Sequence, residues 1–448
     1  MVSFASLLLY TLLSHFALTM AAKAPAARCA TPPFDENSAD IRILHAVGPC
    51  SPLRPPSTSW GDTMSDLMTR DESRLASLAA SLAKSHRSSV PIASGRQMLQ
   101  IPNYVVRASL GSPGQPMVVA LDTSNDAAWF PCTACVGCPS AAVPFDSSRS
   151  STFRPLPCGS PQCAQVPNPS CSPGAASCSF NLSYGGSSFQ AGLAQDSLAL
   201  GSDVLSSYTF GCLQKMTGSS IPPQGLLGLG RGPLSFLSQT KDRYASTFSY
   251  CLPSFRSSNF SGSLRLGPVG QPKRIKTTPL LTSTRRSSFY YVNMTGIRVG
   301  RRVLDIPPSA LAFDPATGAG TIVDAGTMFT RLVAPAYAAL RDEFRRQVKA
   351  AAGPVTSLGG FDTCYSGSFV PPAVTLVFTG MNLKLPPDNL LIRSTAGSMA
   401  CLAMAAAPDN VNSVVNVIAN VQQQNYRVLF DVANARIGFS HETCTATA

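Results

Sequence analysis

Two aspartates lie in matching surroundings in the two halves of the chain. Asp122 follows the apolar run 118–121, Asp324 follows 321–323, and each then enters a turn of small residues. One aspartate in such a turn commonly caps it through its own side chain, but the duplication favours catalysis. Two carboxylates that share a site cannot both ionise easily, so one pKa rises and the other falls. Such a pair can activate a water molecule, with one member as general base and the other as proton donor.

Histidine is scarce in this protein. The chain of 448 residues has four histidines, and none of them lies between positions 87 and 440. Ser-His-Asp and Cys-His catalysis need an imidazole beside the nucleophile, and catalytic zinc commonly takes two or three histidine ligands. The aspartate pair is therefore the catalytic apparatus that the long C-terminal part can assemble, and we expect neither a metal ion nor an organic cofactor.

The elements that must position the aspartates are short strands. Charged residues make up 13% of the chain, below the roughly 25% of ordinary soluble domains, and there are 37 prolines and 33 glycines. This composition excludes a coiled coil, a disordered chain and a Lys/Glu-rich helical protein. Helices are predicted at 64–83 and 334–351. From residue 101, turn signals separate predicted strands, which indicates an all-β protein, at 104–110, 117–122, 205–210, 289–299, 303–306, 374–378, 426–431 and 436–439.

The β-rich part contains a weak internal repeat. Residues 118–130 and 321–332 share the order apolar run, aspartate and small residues. A second pair of similar segments follows at 225–230 and 414–420, each about a hundred residues further on. Two such halves would place the two carboxylates symmetrically at one interface.

The N-terminus predicts secretion. Residues 3–20 are mostly apolar and uncharged and are followed by small residues, which is typical of a signal peptide at 1–22, although an uncleaved anchor is the alternative. Three sequons, at Asn181, Asn259 and Asn293, agree with glycosylation in the secretory pathway. We expect an extracellular protein of the apoplast or cell wall, with the vacuole as the other destination.

Fourteen cysteines also suit an oxidising compartment, where they form disulfides. The motif Cys132-x-x-Cys135-x-x-Cys138 could instead hold a metal or act in redox chemistry. Because histidine ligands are lacking and a signal peptide is predicted, the disulfide interpretation is favoured.

The net charge of +12 is partly concentrated in residues 273–302. A nucleic-acid-binding surface would require a recognisable module, and none is evident there. We interpret the cluster as a solvated basic face, open to attraction by acidic polysaccharide, and expect no nucleic-acid partner.

The motifs resemble those of the pepsin-like aspartic proteases, and more closely the plant atypical, nepenthesin-like group. Asp122-Thr-Ser-Asn stands where the family has Asp-Thr-Gly-Ser, and Asp324-Ala-Gly-Thr where it has Asp-Ser-Gly-Thr. Trp129 matches the family tryptophan, and Tyr184 matches the tyrosine of the flap hairpin that covers the cleft. The resemblance spans about residues 40–443 and includes GLLGLGRGPLSFLSQ, FSYCL, FDTCY and NVQQQNYRVLFDVANARIGFS, with HAVGPCSPL similar to a propeptide.

This resemblance implies an all-β, bilobal pepsin-like fold with a few short helices and an active site between the lobes. It places a propeptide at 23–96, an N-terminal lobe with a Cys-rich insert and flap at 97–285, and a C-terminal lobe at 286–448. Twelve cysteines lie beyond residue 96, as six disulfides require, and Cys364–Cys401 is the expected bridge of the C-terminal lobe. We expect a monomer that has no membrane attachment after its signal peptide is removed.

The resemblance also assigns roles within the site. Asp122 and Asp324 are the expected catalytic residues, and Tyr184 and Trp129 are the expected flap and substrate-binding residues. Trp129 would support the flap tyrosine, and the alternative is a tryptophan of the core. The residues expected to support the catalytic loops are Thr123, Ser124, Asn125, Ala325, Gly326 and Thr327.

Departures from the family pattern leave two hypotheses. Ser124 replaces a glycine whose N–H approaches the opposing carboxylate, Ala325 lacks the usual hydroxyl, and Asn125 replaces a serine; Ala419 also stands where a late strand usually has glycine. The first hypothesis is an aspartic endopeptidase, made as a zymogen and acting on proteins or peptides. The second is a binding protein with weakened or no catalysis, similar to the plant xylanase inhibitors of this family.

Overall fold

The computed structural model describes most of the chain beyond its N-terminal region. The described residues are 41–45, 60–82, 103–139, 143–171, 177–218, 221–222, 225–254, 262–348, 352–394, 397–408 and 413–444. The predicted signal peptide and the sequon at Asn259 lie outside these residues.

Strands dominate the described residues. Those up to residue 266 are β1 (Ile41–His45), β2 (Tyr104–Leu110), β3 (Gln115–Asp122), β4 (Trp129–Val136), β5 (Arg154–Pro155), β6 (Pro169–Ser170), β7 (Ser179–Tyr184), β8 (Ser187–Leu200), β9 (Asp203–Thr217), β10 (Leu226–Gly228), β11 (Thr247–Cys251) and β12 (Gly262–Leu266). Those that follow are β13 (Lys276–Leu281), β14 (Tyr291–Val292), β15 (Met294–Val299), β16 (Arg302–Val303), β17 (Gly320–Val323), β18 (Thr330–Leu332), β19 (Thr356–Leu358), β20 (Phe361–Tyr365), β21 (Val374–Phe378), β22 (Met381–Leu385), β23 (Leu391–Arg393), β24 (Ala400–Leu402), β25 (Met404–Ala406), β26 (Val415–Ile418), β27 (Tyr426–Asp431) and β28 (Arg436–His441).

The α-helices within the described ranges are few, and most are a single turn. They are α1 (Trp60–Leu82), α2 (Phe236–Gln239), α3 (Lys241–Tyr244), α4 (Ala334–Gln347), α5 (Pro387–Leu390) and α6 (Asn420–Gln423). In the part of the chain that the structure describes, no helix combines the length and the apolarity needed to cross a membrane. The two long helices lie where the sequence predicted helices, with ends that differ by up to four residues.

The internal repeat is confirmed as a repeated strand arrangement. In the first half, β10 runs parallel to β3 and pairs Gly228 with Asp122. In the second half, β26 runs parallel to β17 and pairs Ile418 with Val323, the residue before Asp324. Each aspartate therefore leaves its strand beside a second, parallel strand of the same half.

A shared antiparallel sheet joins the two halves. Strand β11 pairs with β27, β27 pairs with β28, and β28 pairs with β13. Strand β1 lies in the same sheet between β2 and β12, with ladders on both sides. The N-terminal segment is thus built into the sheet that holds the halves together.

Twelve cysteines form six disulfides among the described residues, and the bridge expected between Cys364 and Cys401 is present. The pairs are Cys132–Cys212, Cys135–Cys138, Cys158–Cys171, Cys163–Cys178, Cys251–Cys444 and Cys364–Cys401. The sulfur atoms of Cys163, Cys171 and Cys178 lie within 4.8 Å of one another. Because all three belong to disulfides, they offer no thiolate to a metal ion.

Several predicted element boundaries are wrong. The strand predicted at 205–210 is the longer β9 (Asp203–Thr217), and the strand predicted at 289–299 begins at Tyr291 and is divided into β14 and β15. The strand predicted at 303–306 is reduced to β16, which ends at Val303; two prolines follow at 307 and 308, and proline cannot donate to a strand ladder. The helix predicted to reach residue 351 ends at Gln347, because Val348 already has an extended backbone.

Aromatic rings fill the centre of the shared sheet. Phe430 is fully buried and stacks on Phe248, with 4.6 Å between ring centroids and a 7° interplanar angle. Tyr290 meets the same ring edge-on, also at 4.6 Å. Since these residues come from both halves, their packing couples the halves directly.

We expect Phe430→Ala to lower the free energy of unfolding by about 3–5 kcal/mol, because it empties a fully packed site. Chemical denaturation of the purified protein measures this loss. Phe369, which is only partly buried at the edge of the core, is the matched control, and Phe369→Ala should cost clearly less. An equal loss at both positions would contradict the central role of the Phe430 cluster.

Candidate active site

The two predicted catalytic aspartates meet between the halves. Both Asp122 and Asp324 have side chains with no exposed surface. The Thr123 hydroxyl donates to Asp324 Oδ1 at 3.2 Å and accepts the Ala325 N–H at 2.9 Å. One hydroxyl from the first half therefore holds the aspartate loop of the second.

Asp122 has hydrogen-bond donors on both carboxylate oxygens. Ser124 donates its N–H and its hydroxyl to Oδ1, at 2.8 and 2.9 Å. The Tyr184 hydroxyl donates to Oδ2 at 2.9 Å. These bonds stabilise the charged form of a carboxylate that is otherwise deprived of water.

Asp324 has its own donors in the turn that follows it. The Gly326 N–H donates to Oδ1 at 3.1 Å, and the Thr327 hydroxyl donates to Oδ2 at 2.7 Å. A Cβ at position 326 would lie 2.7 Å from Cγ of Asp122, which is closer than atoms can approach. Glycine is therefore required where the second loop passes the first carboxylate.

The departures from the family pattern have different structural effects. Ser124 fits its turn with a Cβ and adds a hydroxyl bond to Asp122. Ala325 is buried and contributes only its backbone, so the hydroxyl bridge between the loops runs from Thr123 alone. Asn125 turns its side-chain oxygen towards the N–H of Ala127, at 3.5 Å, and so belongs to the turn.

Helix α6 supports the second aspartate loop from behind. Gln423 donates from Nε2 to the carbonyl oxygens of Asp324, at 3.1 Å, and Ile418, at 2.8 Å. Asn420 donates from Nδ2 to the carbonyl oxygen of Ala325 at 3.0 Å. These buried amides fix the backbone from which the Asp324 carboxylate projects, and sequence reasoning assigned them no role.

Tyr184 and Trp129 lie together beside Asp122. Their rings make an edge-to-face contact, with centroids 5.6 Å apart, where the β7–β8 hairpin folds over the site. Trp129 Nε1 is buried and has no hydrogen-bond partner among the described residues. The Tyr184 hydroxyl points instead to the carboxylate, and Asn103 Nδ2 lies 3.4 Å from it.

Helix α1 inserts an arginine into this site. Arg74 Nη2 lies 2.8 Å from Asp122 Oδ1, and its Nε lies 4.0 Å from Asp324 Oδ2. The guanidinium also donates to the Ser124 hydroxyl and lies over the Tyr184 ring, 4.8 Å from its centroid. A single cation therefore contacts both aspartates and the hairpin tyrosine.

The charges of the site are strongly coupled. Burial raises the pKa of Asp122, Arg74 opposes this rise, and the nearby charge of Asp324 adds to it. Burial alone would lower the pKa of Arg74, but the surrounding carboxylates, Asp122 first, raise it above its ordinary value. Arg74 is thus held in its charged form against the aspartates.

A second polar contact docks α1 on the C-terminal half. Asp71 is fully buried and accepts the backbone N–H groups of Met328 and Phe329, at 2.8 and 2.5 Å. Burial raises its pKa to about 7, although Arg331 and the two N–H groups act in the opposite direction. Asp71 therefore attaches the helix directly beyond the Asp324 loop.

Apolar packing surrounds this contact. Leu67 and Met68 of α1 belong to a cluster with Met328, Phe329 and other residues of the C-terminal half. Gly360, at φ +84°, lets its loop approach Met68 closely, since a Cβ there would lie 3.1 Å from that side chain. The helix is thus buried along its face rather than held by charges alone.

Sequence reasoning predicted the helix but missed Arg74 and Asp71. A signal was present in the spacing of the helix. Counted from Leu67, the next residues of the same face are Asp71, Arg74 and Leu75, at four, seven and eight positions further on. Charged residues on an apolar helical face require buried partners, and a pair of buried aspartates supplies them.

A cavity of about 1030 Å³ lies beside the aspartates. It is lined by Arg74, by the turn at 124–127, by residues 165–168 of the Cys-rich segment, by the hairpin at 181–188 and by 286–289. Asn181 is exposed on this hairpin, whereas Asn293 is half-buried and bonded to Thr379 Oγ1 at 2.9 Å.

Two family models match successive parts of the chain. The model described as Xylanase inhibitor N-terminal matches residues 104–268, and that described as Xylanase inhibitor C-terminal matches residues 289–441. Together they cover both aspartate loops and the strands around them.

Solved structures share the fold at low sequence identity. Conglutin gamma, a basic 7S globulin from lupine seeds, superposes with a TM-score of 0.62 at 20% identity, over 77% of this chain and 95% of its own. Basic 7S globulin from soybean gives a TM-score of 0.60 at 21% identity, over 76% of this chain and 93% of its own. These structures support the all-β, bilobal, pepsin-like fold.

Curated relatives are more similar in sequence. Aspartyl protease AED3 of Arabidopsis thaliana is 50% identical over 443 residues, 97% of both chains. Aspartyl protease 25 of Oryza sativa subsp. japonica is 50% identical over 91% of this chain and 95% of its own. Nepenthesin-1, an aspartic proteinase of Nepenthes gracilis, is 34% identical over 77% of this chain and 78% of its own. The chain therefore belongs to the pepsin-like aspartic protease family of plants, in its nepenthesin-like group.

Proposed function

We propose that the chain is a secreted aspartic endopeptidase that is made as a zymogen. The observation that carries this proposal is the buried pair of Asp122 and Asp324, each with hydrogen-bond donors on both oxygens and joined through the Thr123 hydroxyl. Proteins or peptides are the proposed substrates, held in extended form beneath the β7–β8 hairpin. The proposed enzyme is a monomer of the apoplast, cell wall or vacuole.

The proposed reaction is hydrolysis by a water molecule bound between the two carboxylates. The ionised carboxylate takes a proton from this water while the protonated one donates to the substrate carbonyl oxygen, and the water oxygen bonds to the carbonyl carbon. Collapse of this intermediate breaks the C–N bond and passes a proton to the leaving nitrogen. Burial raises the pKa of Asp122, and removing Arg74 would remove the cation that opposes this rise. Acidic pH suits this reaction, since the pair must hold one proton.

The zymogen proposal rests on Arg74. In the unprocessed chain its guanidinium takes the place beside both carboxylates where water and the substrate carbonyl would have to lie. We propose residues 23–96 as the propeptide, 97–285 as the N-terminal lobe and 286–448 as the C-terminal lobe. Cleavage near residues 90–100 would break the covalent link between the helix and the body of the enzyme, as its release requires.

A second candidate function is a binding protein with the same fold and without catalysis. Ala325 favours it, because the second loop lacks a side-chain hydroxyl that could bond across to the first. The family models are also named after xylanase inhibitors. Peptide release by the processed protein separates the two candidates.

We expect Asp122→Asn to lower peptide release from denatured globin at acidic pH by at least about 10³-fold, because an amide cannot share the proton of the pair. The processed wild-type protein should be inhibited by pepstatin. Asp314→Asn, in an exposed turn, is the matched control and should keep full activity. Release that Asp122→Asn retains would refute the carboxylate mechanism, and a wild-type protein that releases nothing would favour the binding protein.

We expect Arg74→Gln to increase pepstatin binding to the unprocessed chain by about 10- to 100-fold, since a charge-assisted hydrogen bond is worth roughly 1.5–3 kcal/mol. Binding is measured by calorimetry on chains that gel electrophoresis shows to be intact. Arg70→Gln is the control, because Arg70 pairs with Asp66 on the same helix. Equal affinities for Arg74→Gln and the unchanged chain would show that Arg74 does not close the site.

The pH dependence of helix docking follows from Asp71. Its pKa rises from the ordinary 3.8 to about 7 on burial, so the docked state takes up a proton between these values. The stabilisation is complete below pH 3.8 and disappears as the pH rises to 7, with a slope of at most about 1.4 kcal/mol per pH unit. Acid therefore tightens the contact between Asp71 and the C-terminal half.

Thermal unfolding of the intact chain at pH 5 and pH 7.5 tests this linkage. The unchanged chain should be more stable at pH 5, and Asp71→Asn should lose a large part of that gain. Glu72→Gln is the control, since Glu72 is half-exposed on the same helix, 3.6 Å from Arg331. A gain on acidification that is equal in Asp71→Asn and Glu72→Gln would show that Asp71 does not titrate in this range.

A further inference from the structure

The sequon at Asn181 lies on the hairpin that covers the aspartates. Asn181 and Ser183 are exposed on β7, whereas Phe180 and Tyr184, on the alternate face, are buried. Tyr184, three residues after Asn181, donates its hydroxyl to Asp122. A modification of Asn181 would therefore project outwards from the strand that carries the tyrosine of the site.

Asn181 also lines the cavity beside the aspartates. Across this cavity lie Arg286 and Ser288 of the C-terminal half, and Val166 lies on the Cys-rich side. The side-chain amide of Asn181 thus stands at the rim of the space through which a substrate would reach the carboxylates.

The strand edge next to Asn181 is open within the described part of the chain. Strand β6 pairs with β7 only at Pro169–Phe180 and Ser170–Ser179, and the hairpin then continues with β8 alone on the other side. Asn181 itself is exposed, so its side-chain amide is accessible for modification.

We propose that an N-linked glycan on Asn181 limits access to the cleft according to the size of the incoming molecule. This proposal rests on the proposed aspartic endopeptidase and on its passage through the secretory pathway. A hydrated oligosaccharide at the rim would take up volume above the cavity, where a bulky molecule would have to approach. An extended peptide passes, whereas a folded protein must push its surface against the glycan. The substrates are accordingly short or unfolded chains.

The sequon at Asn293 provides a matched comparison. Its side chain is half-buried and bonded to Thr379, next to the sheet of β15 and β21, and it does not line the cavity. Loss of a glycan there changes the carbohydrate content of the protein without changing the rim of the cleft.

The test uses the secreted, processed protein from a eukaryotic host. Mass spectrometry of the peptide that contains Asn181 first measures occupancy. Affinities are then measured for free pepstatin and for pepstatin attached to a globular carrier protein, in the unchanged protein, Asn181→Gln, Ser183→Ala and Asn293→Gln. The quantity compared is the ratio of the affinity for carrier-bound pepstatin to the affinity for free pepstatin. It requires an intact cleft but no turnover, so it remains measurable if the proposed catalysis fails.

We expect Asn181 to be occupied and both Asn181→Gln and Ser183→Ala to improve binding of the carrier-bound pepstatin at least about fivefold relative to free pepstatin. Enzymatic removal of glycans from the unchanged protein should have the same effect, and Asn293→Gln should have none. An unoccupied Asn181, or equal ratios in all four proteins, would overturn the proposal. An effect of Asn181→Gln that Ser183→Ala does not share would assign it to the asparagine side chain. A protein that binds neither form of pepstatin would refute the cleft itself, and the proposal with it.

Discussion

Burial of two carboxylates side by side is the constraint on which the rest of the structure depends. Neither Asp122 nor Asp324 has exposed surface, and each would be costly to bury alone. The surrounding hydroxyls, backbone N–H groups and the guanidinium of Arg74 offset this cost. Arg74 lies beside both carboxylates, so the charge that makes them costly to bury is compensated by one cation. The proposed reaction would use the same coupling, since it requires one proton shared by the pair.

The repeated strand arrangement explains how distant segments meet, and its asymmetry explains what each half contributes. Parallel pairing of β3 with β10, and of β17 with β26, delivers each aspartate to the same interface. Thr123 supplies a hydroxyl bridge that Ala325 cannot return, so the second loop relies on Gln423 and the other buried amides behind it. The second aspartate loop is therefore held by the Thr123 hydroxyl from the first half and by the buried amides of its own half.

The sequence predicted those strands whose ends are set by the order of apolar and turn residues along the chain. Strands 104–110, 374–378 and 426–431 have the predicted bounds, because alternating or fully apolar runs between turn residues define them. Asp122 and Asp324 could be found because their contexts are duplicated. The position of Arg74 on an apolar helical face indicated that it is buried. Its partners could not be predicted, since an amphipathic helix does not show which surface covers that face. The same limit applies to Gln423, whose partners are backbone carbonyls that only the tertiary structure brings near.

The position of β1 has a consequence for how the N-terminal segment could depart. A cut in the chain between residues 82 and 103 severs the covalent link to the helix, but Ile41–His45 stays hydrogen-bonded to β2 on one side and β12 on the other. The immediate product of such a cut is a two-chain protein. Its smaller chain dissociates only when β1 breaks its hydrogen bonds to β2 and β12. The dissociation rate of the two chains is therefore set by opening of the sheet, and not by cleavage of the peptide bond.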